Sequence, residues 1–245
     1  MSITQMLPFI STAIMLWFTV DVLRRYFVRR NPAFLFWGLG LAMFGIGSFA
    51  EAYLALAWNK AIFVMWCLFG AILNPAWIGQ GTLYLLVKKR WVHITTAILI
   101  LASLASTVSM LSIPVDATGF QLGTPISVQY KEFGIIPPDF FVRFLIPTIL
   151  FGTVGLILLV GGALYSAFLF WRKRVLPNRV IGNVLIATGA LSVGASSVLT
   201  GQGYGEFLYV GELIAAILMF IGFRLAARPQ PDEEVAVSAV PASAD

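Results

Sequence analysis

The sequence predicts an all-α fold, a bundle of seven transmembrane helices, and three observations carry that prediction. Hydrophobic residues make up 59% of the 245 residues and charged residues only 11%, where a soluble domain carries about 25% charged residues. That is too little charge to coat a water-facing surface. Seven apolar stretches lie between clusters of charge, each near the ~20 residues that cross a ~30 Å hydrocarbon core as a helix. The basic residues, finally, are concentrated in alternate loops, the pattern that orients a polytopic chain.

The first segment runs from about Thr4 to Leu23 and stops at Arg24 and Arg25. No basic residue precedes it and no small-x-small site follows, so it is read as a retained helix and not as a signal peptide. The second begins at Pro32, a favourable residue for a first helical turn, and reaches about Ala57. The third covers about Ala61 to Val87 and the fourth about Val92 to Ile113. The fifth covers about Phe141 to Trp171, the sixth about Val180 to Thr200, and the seventh about Phe207 to Ala226. Residues 1–228 thus form the membrane domain. Residues 229–245, with Pro229, Pro231 and Asp232-Glu233-Glu234, are expected to be a disordered tail.

Thirteen of the 16 basic residues fall on one side: Arg24, Arg25, Arg29 and Arg30, then Lys88, Lys89 and Arg90, then Arg172, Lys173, Arg174 and Arg179, with Arg224 and Arg228. Short loops rich in Lys and Arg stay cytoplasmic, which puts the N-terminus outside and the C-terminus in the cytoplasm. The same bias accounts for the net charge of +5 without a nucleic-acid partner. The one long loop, 114–140, is then external. Its alternating stretch Ile126-Ser127-Val128-Gln129-Tyr130 is compatible with a short strand in a hairpin lid, or with an irregular loop.

Several chemistries are excluded by what is scarce. One cysteine, Cys67, makes no internal disulfide, and one histidine, His93, supports neither a bis-histidine haem nor a His-rich metal site. No Cys-x-x-Cys, His-Glu-x-x-His, Gly-x-Ser-x-Gly or Walker run occurs. The last segment holds no lysine for a retinal Schiff base. The expectation is a non-enzymatic protein with no metal or cofactor.

The residues out of place in lipid are the candidates for function. Glu51 and Glu212 each sit about six residues inside the external end of a helix, ~9 Å down at 1.5 Å per residue. A lone carboxylate at the bilayer centre costs ~2.5–3.5 kcal/mol on insertion scales, so both should face the bundle interior, with Arg143 as the basic neighbour within reach. Tyr53 and Tyr209, close to them in sequence, complete the candidate ligand-binding set. Asn74, Gln80 and Gln202, with Asn183, are the candidate buried polar groups, either bridging helices or lining a polar cavity. Asp21 is expected to pair with Arg24 and Arg25 one turn on. The glycines Gly38, Gly40, Gly45 and Gly47, then Gly152, Gly155, Gly161 and Gly162, then Gly182, Gly189 and Gly194, are expected to allow close helix packing. Pro75 and Pro147 should each distort a helix and free carbonyls.

From Asn31 to Arg90 the order of residues is a basic loop, Pro32, an aromatic and small-residue helix with Glu51 near its end, then Trp66, Gly70 and Pro75-Ala76-Trp77. This order resembles the amino-terminal seven-helix sensor region that precedes many bacterial histidine kinases. The resemblance implies a sensory or receptor-like module in a bacterial plasma membrane, surrounded by lipid. No kinase or other output region follows the seventh segment, which departs from that family, so signalling would pass through a cytoplasmic partner protein. Two other readings compete with it. A small proton-coupled transporter would need a polar route from Glu51 and Glu212 down past Gln80, and a structural subunit of a membrane complex would need no site at all.

Overall fold

The computed structural model describes residues 3–115, 117–130, 139–173 and 177–227. All regular structure among them is helical. Seven of the helices are long and apolar enough to cross a membrane, which fits a multi-pass membrane protein. They are α1 (Ile3–Arg29), α2 (Pro32–Leu54), α3 (Lys60–Leu86), α4 (Trp91–Leu111), α6 (Phe141–Arg172), α7 (Pro177–Gly201) and α8 (Glu206–Ala226); α5 (Ile126–Gln129) is a single turn between α4 and α6. Helix α1 continues past the expected stop at Arg24 to Arg29. Arginine is a good helix former, so its charge marks where the side chains leave an apolar solvent and does not end the backbone helix.

The turn into α2 is built by three consecutive residues. Arg30 takes a positive φ of 50°, Asn31 caps α2 by accepting from the Ala33 backbone N–H at 3.0 Å, and Pro32 fills the first turn. Asn59 caps α3 in the same way, accepting from the N–H groups of Ala61 and Ile62.

Six helices close a ring. α1 packs on α2, α2 on α3, α3 on α6, α6 on α7, α7 on α8, and α8 returns to α1. Helix α4 stands outside that ring against α3 and the start of α6. Small residues set the closest approaches. A methyl on Gly47 would collide with the Gly70 backbone, one on Gly155 with the Pro75 carbonyl, and one on Gly222 would lie 2.6 Å from the Gly182 oxygen. The expectation for α6 holds for Gly155 and Gly162 only. A methyl on Gly152 or Gly161 would meet nothing within 4 Å: Gly152 borders a cavity, and Gly161 is exposed.

Both expected proline distortions are present, as π segments. Trp66–Leu73 in α3 and Phe140–Leu145 leading into α6 are π-helical, and each ends two residues before a proline, Pro75 and Pro147. Proline has no N–H to give, so the turn before it widens without losing a backbone bond. Asn74 uses the opening: its Nδ2 donates to the carbonyls of Phe69 at 2.6 Å and Gly70 at 2.7 Å.

Two apolar cores fill the molecule. One joins Met15, Phe18 and Val22 of α1 to Trp37, Leu41 and Phe44 of α2 and to Ala215, Met219 and Phe223 of α8. The other gathers Leu54, Phe63, Trp66, Ile72, Met110, Ile126 and Phe144. At the arginine-rich end Asp21 pairs with Arg224 of α8 at 3.2 Å, not with the expected Arg24 and Arg25. The Arg25 guanidinium lies 4.9 Å from the centre of the Phe223 ring. Tertiary contact between the first and last helices displaces the local pairing.

The opposite end is covered by residues 112–115 and 117–130. The side chain of Gln129 clasps this segment, accepting from the Gln121 N–H at 2.8 Å and donating to the carbonyls of Gln121 and Thr124. The Gly123 N–H donates to the Ala55 carbonyl at 3.2 Å, Phe120 packs on Trp58 and Tyr130 on Trp66, and Val128 lies against Gly205. Of residues 126–130, open between a short strand and an irregular loop in the sequence, 126–129 form a helical turn. A lone strand needs a neighbour for its N–H and C=O groups, whereas one turn after Pro125 satisfies Gln129 and Tyr130 within itself. The expected tail, 229–245, and the loop residues 131–138 lie outside the described residues.

Candidate functional site

Ser48 lies one helical turn before Glu51 on α2, so their side chains share a face. Its Oγ donates to Glu212 Oε2 of α8 at 2.9 Å. Glu51 lies beside Glu212 and Trp66. The two glutamates expected to meet at a common level therefore do meet, inside the ring. Glu51 is 1% exposed and Glu212 is 7% exposed. Both oxygens of Glu51 are buried without a hydrogen bond: Glu212 and Trp66 are close enough to act on it electrostatically, but neither meets hydrogen-bond geometry. Tyr209, one turn before Glu212, is buried against the same pair.

The remaining candidates are elsewhere. Arg143 does not neutralise either glutamate. Its Nε pairs with Asp139 at 2.8 Å and its Nη1 donates to Ser112 Oγ at 3.2 Å, because Asp139 sits one turn earlier and at the water-facing end. Tyr53, two residues after Glu51, points to another side of α2 and packs on Phe49. Gln202 is exposed in the turn after α7, not buried as expected, since α7 ends at Gly201. Asn183 donates to the Arg179 carbonyl of its own helix and bridges nothing. Gln80 is buried and bound to the Val92 carbonyl, Thr95 and Thr96 of α4. With Trp77–Ser103 and Tyr84–Thr96, it fastens the peripheral helix to α3.

Beside Glu212 the ring encloses a cavity of about 420 Å³, within the range of about 300–1,000 Å³ common for small-ligand sites. Helices α2, α3, α6, α7 and α8 all contribute to its wall. Phe44, Ile78, Leu159 and Met219, members of one apolar core, close it toward the arginine-rich end. Most of the wall is apolar; Asn74 and Glu212 are the strongly polar groups in it, with Thr148, Thr153 and Ser197 nearer the side. Since Asn74 Nδ2 is held by two carbonyls, its Oδ1 is left as a free acceptor. Among the described residues no group of three or more His, Cys, Asp or Glu could hold a metal ion.

Sequence reasoning found the two glutamates and Asn74 but missed Ser48, Trp66 as a wall residue, and the cavity itself. Ser48 was findable, being the hydroxyl one turn from Glu51. The cavity was not, because its wall is ordinary apolar sequence from five helices. The chain matches no protein-family model, no curated protein and no solved structure.

Proposed function

We propose that the chain is a receptor-like integral membrane module that takes a ligand into the cavity beside Glu212 and signals through a cytoplasmic partner. One observation carries the reading: a largely apolar cavity inside a six-helix ring, with Asn74 and Glu212 as polar groups in its wall. Apolar pockets holding a few placed polar groups are the usual form of a small-molecule site. The arginine-rich end is the cytoplasmic one by charge bias, and the membrane is a bacterial plasma membrane if the resemblance over 31–90 holds. A transporter needs a polar route past Gln80, yet Gln80 is committed to α4 and an apolar floor closes the cavity. The geometry therefore favours reception over transport.

Lysine-reactive cross-linking through Lys88, Lys89 and Lys173 in native membranes tests the signalling half. A soluble signalling protein should be captured through these loops. Recovery of the chain alone, with cross-linking otherwise efficient, sinks the receptor reading.

A further inference from the structure

We propose that the cavity binds an amphiphilic amine that enters sideways from the bilayer between α6 and α7, with its ammonium group held by Glu212, the carboxylate of the pair that lines the cavity. This rests on the receptor reading above and names the ligand class for the same site. Three observations converge on it.

Among the described residues no cation is paired with the two carboxyl groups. Arg143 is spent on Asp139, and Arg224 on Asp21 at the far end. Ser48 supplies one donor to Glu212 Oε2, while both Glu51 oxygens have none. Buried charges and polar groups are stable when paired, so the group missing here is a donor, best a positive one. A primary ammonium offers three N–H donors and no acceptor, which suits Glu212 in the cavity wall with Glu51 beside it. A fatty acid would add a third carboxyl to the pair, and an alcohol brings one donor.

The shape fixes the rest of the ligand. The wall beyond Glu212 is built from Phe44, Ile78, Leu156, Leu159, Val193 and Met219, so the body of the ligand is hydrocarbon. The route is lateral. Residues 117–130 pack over the carboxyl-pair end through Gly123–Ala55 and Tyr130–Trp66, and buried core residues form the floor. Ile149 of α6 and Val198 of α7 both belong to the cavity wall and are 55% and 62% exposed, so the wall continues onto the outer surface there. Gly152 of α6 lines the cavity as well, and a methyl added to it would meet no neighbour within 4 Å, a gap a side chain would fill.

The full chain in neutral phosphatidylcholine nanodiscs is titrated with dodecylamine, dodecanol and dodecanoate while tryptophan fluorescence is read. Trp66 lines the cavity, and a parallel titration of Trp66→Phe assigns the signal to it. The expected result is a saturable, Trp66-dependent change with dodecylamine binding at least about tenfold tighter than the other two, the discrimination that one buried charged pair readily supplies. Glu212→Gln should bring the three probes within about threefold of one another, and Gly152→Trp should abolish the change for all three. Glu51→Gln gives a second reading of the head-group preference should Glu212→Gln fail to fold. Equal affinity for the three probes overturns the amine and leaves the ligand cavity standing. No saturable Trp66-dependent change with any probe overturns both this proposal and the receptor reading.

Discussion

Removing the Ser48 hydroxyl takes its donor from Glu212 Oε2. Membrane hydrogen bonds average ~0.6 kcal/mol by double-mutant cycles and reach ~1.7. Ser48→Ala should therefore lower stability by about 1 kcal/mol in a detergent unfolding titration. Arg143→Ala makes the contrast, because its pair with Asp139 is about a third exposed and such pairs are worth ~0.2–1 kcal/mol. It should cost less than about 1 kcal/mol and leave any probe binding at the cavity unchanged; an Arg143→Ala variant that loses binding would mean the arginine does reach the carboxyl pair. At this scale the sequence was legible wherever cost was the argument. Glu51 and Glu212 are too expensive in lipid to face outward, and they do not. Partner choice was illegible, since Asp139 beside Arg143 and Arg224 beside Asp21 depend on where helix ends meet.

Helix interiors divide according to what a glycine faces. Gly155 sits against the carbonyl of Pro75, and Gly161, on the same helix, against nothing. Gly155→Leu should push α3 and α6 apart, and overpacking of this sort typically costs 1–3 kcal/mol. Gly161→Ala should be neutral or stabilising by up to about 1 kcal/mol through helix propensity alone. Thermal unfolding of the two variants side by side checks the pair, and equal losses would contradict this packing of α3 on α6. The π segment in α3 adds a third test. Asn74→Leu strips the donor from two carbonyls that Pro75 cannot serve, for an expected loss of about 1 kcal/mol together with a changed Trp66 environment. Pro75 and Pro147 announce a break in the sequence, but π widening as the form of that break depends on the Asn74 side chain and on Gly155 opposite. The strand that the alternation at 126–130 allowed does not form, for a related reason. Period-two alternation over five residues describes a surface, and no second strand was there to pair with it.

Across the whole molecule, composition and charge spacing were enough to count the membrane helices, because the count depends only on length and hydropathy. The ring order was not readable, nor was the position of α4 outside it, since every segment is apolar all round. Orientation is open to a direct measurement. Gly119 and Lys89 are both exposed and lie at opposite ends of the bundle. A cysteine at 119 should react with a membrane-impermeant maleimide in intact cells, and one at 89 only after permeabilisation. The reverse pattern would turn the molecule over and move the arginine-rich loops to the other compartment.

The ring closes through its first, second and last helices, and that fixes an order of events during synthesis. Ser48 and Glu212 are 164 positions apart in the chain, and Asp21 and Arg224 are 203 apart. At ~5–20 residues per second, something on the order of ten to thirty seconds separates the emergence of Ser48 from that of Glu212. Throughout that interval α1 and α2 wait in the bilayer with Glu51 and the inner faces of Met15, Phe18 and Phe44 uncovered by α8. The nascent chain is a half-open barrel that only its final helix can shut, so a ribosome stalled before residue 206 leaves the species most exposed to membrane quality control.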